Sequence, residues 1–464
     1  MHYVSTRGES PALPFQETIM AGLARDGGLF LPETLPEVKS RFPHLQNMPF
    51  QELFQELVRP FLSGSLKEGT LTELVQRSYS TFAHPEITPV REVGGIHVCE
   101  LFHGPTLAFK DVALQFLGNL FEHFLEQTGG KMTVLGATSG DTGSAAIHAL
   151  RGRKRVQVFI LFPHQRVSPM QERQMTTVSD ANVHALAVRG SFDDAQAIVK
   201  ELFNDRAFNE EMSLGAINSI NWARVMAQIT YFFYAYFRVV GTGALRLGDP
   251  VRVAVPTGNF GHMYAGLLAR RMGLPLDKLI LATNANDILD RFVHSGRYEM
   301  NAVRQTHSPS MDIQVASNFE RYLYDLCGRN SAQVRSWLTE LNRKGGFSVT
   351  EEQRDQVHQD FEAVSVSDEE TLATIARVHR EAGYLLDPHS AIAYRAAGEL
   401  SGGLPVISMA TAHPAKFSAA IAKALGHAPE LPPALAALEA LPTRVQLLDA
   451  QAIAVRDHMR RSLT

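Results

Sequence analysis

Cysteine is nearly missing from this chain. Cys99 and Cys327 are the two thiols in 464 residues. That excludes a disulfide-built scaffold and a cysteine metal cluster, and it fits a reducing compartment, the cytoplasm. No apolar run is long enough to cross a bilayer. The opening residues, Met-His-Tyr-Val-Ser-Thr-Arg-Gly-Glu, hold no apolar core, so no secretory signal is expected there. Neither sign of charge dominates. Forty-four basic residues stand against 48 acidic ones, a net charge of -4, which gives no electrostatic case for a nucleic-acid or membrane partner. The 18 histidines are scattered without zinc-like spacing, so no metal site is expected. Internal repeats and low-complexity tracts are also missing.

What is present is an ordinary soluble composition, 45% hydrophobic and 20% charged, in a chain too long for one core. The first eighty or so residues read as mainly helical. Residues 50–57 carry apolar positions at helical spacing, and Pro60 is expected to end that helix. Pro85 and Pro89 mark a break before a strand at 96–102. From Lys131 the pattern alternates. Strands are expected at 132–136, 156–162 and 183–188, with helices at 142–150, 169–177 and 194–204. A long aromatic helix follows at 222–239, and a second series opens with strands at 251–255 and 279–283 around a helix at 262–272. The stretch 351–383 reads as charged helix, 406–410 as a returning strand, and the tail from Pro432 as helix. Alternating β and α elements imply an α/β fold of two open lobes with mostly parallel sheets, and ligands at the carboxyl ends of the strands.

Three segments carry chemistry. Lys110 lies in the run 103–111, His-Gly-Pro-Thr-Leu-Ala-Phe-Lys-Asp. Burial in apolar surroundings lowers a lysine's pKa and leaves a nucleophilic amine able to form a Schiff base. The plainer alternative is a surface lysine whose stem covers Phe109 and Leu114. Gly258, Asn259, Phe260 and Gly261 follow one strand and open a helix. There, converging N–H groups and the helix dipole suit a phosphate. The run lacks the Gly-Lys-Ser/Thr of a P-loop and the glycine spacing of a dinucleotide site. Residues 138–143, Thr-Ser-Gly-Asp-Thr-Gly, repeat the arrangement in the other lobe, for a carboxylate or a phosphate. Simple helix capping is the alternative for both loops. After the strand at 406–410, Thr411 offers a neutral hydroxyl, and His413 and Lys416 offer groups for an anion.

With these residues in place the chain resembles the threonine synthases, fold type II pyridoxal-phosphate enzymes, in their longer class with an extra N-terminal region. The resemblance spans nearly the whole chain. Its marks are residues 3–8, 26–32, 103–111, 138–145, 167–172, 218–222, 256–261, 308–313, 317–321 and 411–417. It implies that Lys110 holds pyridoxal 5'-phosphate as a Schiff base and acts as acid and base. Gly258, Asn259, Phe260 and Gly261 would cradle the cofactor phosphate, and Thr411 would face its ring nitrogen. Thr138, Ser139, Gly140, Thr142 and Gly143 would receive the substrate carboxylate. Asp141 stands where many fold relatives carry Asn against the cofactor's 3′ oxygen. Two ionised oxygens repel, so a shared proton or a different partner is expected. A hydroxyl at the ring nitrogen would not keep it protonated, which tempers the electron sink and disfavours transamination.

The implied substrate is O-phospho-L-homoserine and the products are L-threonine and phosphate. For the substrate phosphate the candidate cations are Lys416 first, then Arg7 and Arg166. Ser308, Ser310, Asp312, Asn286 and Asp287 are explained equally well by turns and caps. The domain division expected is a helical N-terminal extension over 1–84, a cofactor domain over 85–110 and 241–430, a substrate domain over 111–240, and a helical tail over 431–464. A monomer or weak homo-oligomer is expected. The rival readings are another lyase of this fold, a phospho-lyase or hydroxyamino-acid dehydratase, and a non-catalytic phosphate-ligand binding protein. Products separate the first pair, and the intact Lys110 argues against the last.

Overall fold

The computed structural model describes every residue except Ser63, within the N-terminal extension, and Thr464, the last of the tail. Two sheets organise the chain. The larger runs, edge to edge, Phe361–Ser365, Leu276–Thr283, Val251–Pro256, Val406–Ala410, Ile96–Glu100 and Val90–Val93. All neighbours are parallel except the last pair, an antiparallel hairpin turned at Gly94 and Gly95, both at positive φ. The smaller sheet is wholly parallel: Gln446–Asp449, Val183–Arg189, Val156–Pro163, Met132–Ala137 and Leu214–Gly215. Its central strands are apolar nearly throughout because helices cover both faces.

Four segments expected to carry chemistry leave the carboxyl ends of parallel strands. Residues 101–110 follow Ile96–Glu100, 138–141 follow Met132–Ala137, 257–260 follow Val251–Pro256, and Thr411 follows Val406–Ala410. Between the sheets runs the helix Trp222–Gly241. It is buried almost all round, which is why its sequence reads as a continuous aromatic and apolar face. It packs against Phe50–Leu62, Lys110–Thr128 and Gly261–Arg271, so the N-terminal extension and both lobes share one core.

Three sequence expectations are corrected. The helix at Phe50 continues through Pro60 to Leu62. Pro60 sits in the last turn, where the hydrogen bond it forfeits is a single one, while Phe61 and Leu62 are buried and Phe61 O accepts from Tyr3 Oη at 2.6 Å. The charged stretch 351–383 is two helices separated by the strand Phe361–Ser365, which pairs with Leu276–Thr283 at the sheet edge. Five residues are too few to stand out against flanking helical charge patterns. The tail is not only helical. Gln446–Asp449 adds a strand to the smaller sheet, and the helix Ala452–Leu463 buries Val455 and Met459 against Leu186, Ile198 and Leu202.

Among the described residues no helix is long and apolar enough to cross a membrane, and no cluster of metal-ligating side chains occurs. Because the tail completes the smaller lobe's core, Met459→Ala is expected to lower the unfolding free energy by about 2–4 kcal/mol, read by denaturant titration. An unchanged midpoint would mean that the tail is not part of that core.

Candidate active site

Lys110 is delivered by a tightly held turn. Phe109 N–H donates to Thr411 O at 2.8 Å, His413 N–H donates to Leu107 O at 3.1 Å, and Ala108 bridges Ala412. The segment before the lysine thus extends the strand Val406–Ala410 by a few residues, with Leu107 forced to a left-handed φ of 56°. Asp111 clamps the turn from inside. Its two oxygens accept from Thr106 N–H and Thr106 Oγ1, each at 2.8 Å. Burial pushes the Asp111 carboxyl up to about 6, against the pull of those donors.

Lys110 opens the helix Lys110–Thr128 with 9% of its surface exposed. Burial lowers its pKa, and the nearby Lys416 and Arg224 lower it further, while Asp141 opposes them. Its ammonium lies 3.3 Å from Asp141 Oδ2 and 5.2 Å from the centre of the Phe109 ring. His262 stacks on Phe109 at 5.0 Å, with no polar partner for either ring nitrogen among the described residues. Burial holds that imidazole neutral, its pKa down to about 3.

Asp141 is the first residue of the helix Asp141–Leu150 in the smaller lobe. Lys416 Nζ lies 2.7 Å from its Oδ1, and Gln171 Nε2 donates to the same oxygen at 2.8 Å. Burial alone would raise this carboxyl. The Lys416 and Lys110 ammoniums and the Gln171 donor instead hold it well below the usual carboxylate range. Within the protein, Lys416 is thus a partner of Asp141 that the sequence did not pair with it. Gly140 has to be glycine here: its φ is 141°, and a Cβ would stand 2.3 Å from Gln171 Oε1.

The phosphate-type loop has Phe260 at φ 64°, capping the helix Gly261–Arg271. The Phe260 ring points away into a cluster with Phe319 and Phe361, so the residue offers backbone to a ligand. Gly258 lies against the Ser310 backbone, where a Cβ would come 2.9 Å from Ser310 O. Asn259 is exposed, and its Oδ1 accepts from Ser317 Oγ at 3.2 Å.

Several sequence candidates take other positions. The Thr138 hydroxyl accepts from Gly140 N–H and Gly143 N–H at 3.0 and 2.9 Å, which makes it a staple inside the loop. Ser139 and Thr142 are half-buried, and their hydroxyls bond to no other described residue, so they remain the loop's open donors. Lys416, the first choice for a substrate phosphate, is 1% exposed and committed to Asp141 and to Thr106 O at 2.8 Å. Proximity in sequence to Thr411 did not reveal this partner across the lobes. Arg7 forms a two-point pair with Glu320 at 3.1 and 3.0 Å, shared with Thr6, and fastens the N-terminus to the helix Phe319–Leu326. Arg166 is exposed. His413 is kept neutral by burial, its pKa near 4, and caps the following turn through Ala415 N–H. Asp312 is enclosed by Thr306, Asn284 and Asn286. Ser308 joins the same closed turn.

The residue missed is Arg224. It is 3% exposed, in the first turn of the helix Trp222–Gly241, and close enough to bear on Lys110. Among the described residues its guanidinium makes one hydrogen bond, Nη1 to Ile217 O at 3.1 Å, Nε has no partner, and no carboxylate pairs with it. Burial lowers its pKa to about 10, so it stays cationic. A guanidinium in so apolar a run was the available signal.

Comparison with known proteins agrees with this geometry. Residues 85–412 match the family described as pyridoxal-phosphate dependent enzyme, 2–79 match threonine synthase N terminus, and 390–459 match threonine synthase, C-terminal. The threonine synthase of Pseudomonas aeruginosa is 48% identical over 94% of this chain and 93% of its own. The crystal structure of PLP-bound threonine synthase from Brucella melitensis superposes with a TM-score of 0.95 at 45% identity, covering 100% of this chain and 99% of that one. Yeast threonine synthase gives 0.94 at 43% identity, covering 100% and 98%.

Asp111 supplies a test of the clamp. Its folded pKa near 6 exceeds the ordinary 3.8, so its contribution to stability is complete below about pH 4 and lost as pH rises through 6. The stability difference between the native chain and Asp111→Asn is expected to shift by about 3 kcal/mol over that window, beyond a constant offset for the lost acceptor. A difference independent of pH would mean that the carboxyl is not strained by burial.

Proposed function

The chain belongs to the threonine synthase family of pyridoxal-phosphate-dependent enzymes, and on that premise we propose that its substrate is O-phospho-L-homoserine, turned into L-threonine and phosphate in the cleft around Lys110. The observation that carries the reading is a buried amine of lowered pKa facing an excess of buried positive charge. Lys110, Lys416 and Arg224 stand against Asp141 and Asp111. A cofactor phosphate and a substrate with two anionic ends would balance that charge.

The residues present fit pyridoxal phosphate. Gly258 and Gly261 leave backbone open at a helix N-terminus, where a side chain would collide with Ser310 or press on Asn318. On this reading Gly258, Asn259, Phe260 and Gly261 would hold the phosphate, Thr411 would serve the ring nitrogen, and Asp141, beside Lys110, would serve the cofactor's oxygen. When bound, the cofactor supplies an aldehyde for the lysine amine and an electron sink for the substrate's Cα.

Lys110 then works as proton carrier. Its free amine would take the substrate Cα proton, and the burial that lowers its pKa favours the neutral form this needs. Asp141 stays ionised throughout, steers the ammonium form of Lys110, and is itself held by Lys416 and Gln171. Ser139, Thr142 and the N-terminus of their helix orient the substrate carboxylate. Arg224 meets the substrate phosphate and stabilises its charge as it leaves Cγ. On the same reading 85–110 and 241–430 would form the cofactor domain, and 111–240 the domain that takes the substrate carboxylate. The two unpaired cysteines support the cytoplasm as its place of work.

Purified holoenzyme given O-phosphohomoserine is expected to change its visible absorption and release equal amounts of phosphate and threonine. Lys110→Ala should abolish both. A keto acid with ammonia instead would identify a dehydratase, and a spectrum without any product a binding protein. Arg224→Gln is expected to raise KM for the substrate about 10–100-fold, the loss of one charged contact, while cofactor affinity holds. An unmoved KM would place the phosphate's cation elsewhere.

A further inference from the structure

Away from the groups that would touch ligand lies a further buried carboxylate that serves two parts of the cradle. Asp387 caps the helix Pro388–Glu399, accepting from His389 N–H at 3.0 Å and Ser390 N–H at 3.2 Å. Its side chain also takes the Ser390 hydroxyl and lies 2.8 Å from His389 Nδ1. Asp387, His389 and Ser390 are all buried.

Each of the two side chains then passes the contact on. Ser390 Oγ accepts from Thr411 N–H at 2.9 Å. Thr411 O in turn accepts from Phe109 N–H, next to Lys110. His389 Nε2 accepts from Ser310 N–H at 3.3 Å. That backbone N–H can only donate, so Nε2 carries the lone pair and Nδ1 the proton, which points at Asp387. Ser310 is the residue whose carbonyl crowds Gly258 in the phosphate-type loop. The Phe417 ring closes the other side of His389 at 4.8 Å.

The geometry points to Asp387 as a positioning residue with two separable arms. Through Ser390 it sets Thr411, and with it the ring-nitrogen end of the cofactor. Through His389 it sets Ser310, and with it the phosphate end. One carboxylate therefore fixes the distance between the two ends of the cradle. This rests on the assignment of Thr411 and residues 258–261 to pyridoxal phosphate.

The test titrates native apoprotein and variants with pyridoxal phosphate, recording cofactor Kd, the absorption spectrum of the bound form across pH, and the melting temperature of each apoprotein. His389→Met is expected to raise Kd about tenfold or more with the bound spectrum unchanged, and His389→Gln, which keeps an acceptor, to recover most of the loss. Ser390→Ala is expected to leave Kd within about threefold while shifting the pH dependence of the visible band and raising the share of keto-acid by-product. Asp387→Asn should show both effects. If that variant does not fold, the His389 and Ser390 variants carry the test alone. Changes in Kd and spectrum that move together, in proportion to melting temperature, would overturn the two-arm reading and leave a helix cap. A native chain that bound no pyridoxal phosphate would instead remove the cofactor assignment before any variant was compared.

Discussion

The ion pair between Asp141 and Lys416 is the constraint on which the rest of the site depends. Both groups are withdrawn from water, and an unpaired buried charge of either sign would cost several kcal/mol. Asp141 comes from the smaller lobe and Lys416 from the larger, so neither is tolerable unless the lobes meet. The same contact carries further consequences. Lys416 Nζ also reaches Thr106 O, and Gln174 of the smaller lobe donates to that oxygen at 2.9 Å. The Ser168 hydroxyl closes on Lys416 O at 3.1 Å. The turn that delivers Lys110 is gripped from both sides, and the second oxygen of Asp141 is left for Lys110.

Charge gives the arrangement its chemical direction. Around Lys110 itself, the basic groups Lys110, Lys416 and Arg224 outnumber the carboxylates Asp141 and Asp111, and Arg224 has no carboxylate partner among the described residues. Such an excess is stable only where anions complete it. Two helix N-termini, at Asp141 and Gly261, follow the carboxyl ends of parallel strands in the two sheets and carry partial positive charge. Electrostatics thus favours ligands with several negative charges, and burial lowers the pKa of the Lys110 amine in their midst.

Much of this was readable in the sequence. The alternation of strands and helices, the two anion loops, Lys110 and Thr411 were each visible because the signal is local: a period, a glycine spacing, a strand followed by a cap. Gly140 is a case where local sequence and tertiary need coincide, since the loop requires its φ and Gln171 requires its missing Cβ. What the sequence did not show was partner choice within the protein. Lys416 read as an open cation, Arg7 as a substrate contact and Thr138 as a ligand donor, yet each is satisfied within the protein. Arg224 went unnoticed in an aromatic helix, and the strands Phe361–Ser365 and Gln446–Asp449 were too short to show against helical surroundings.

The sequence by itself determined the elements, their alternation, the family and the residue types able to do the chemistry, because periodicity, capping and glycine spacing act over a few residues. Tertiary structure alone decided which charges face one another. Asp141 lies 275 positions from Lys416, and the pair Arg7–Glu320, 313 positions apart, likewise joins distant segments. A charge in a sequence states a need for a partner. Only the packing of one lobe against the other, where water is excluded and every unpaired group is costly, settles whether that need is met by the protein or left for a ligand.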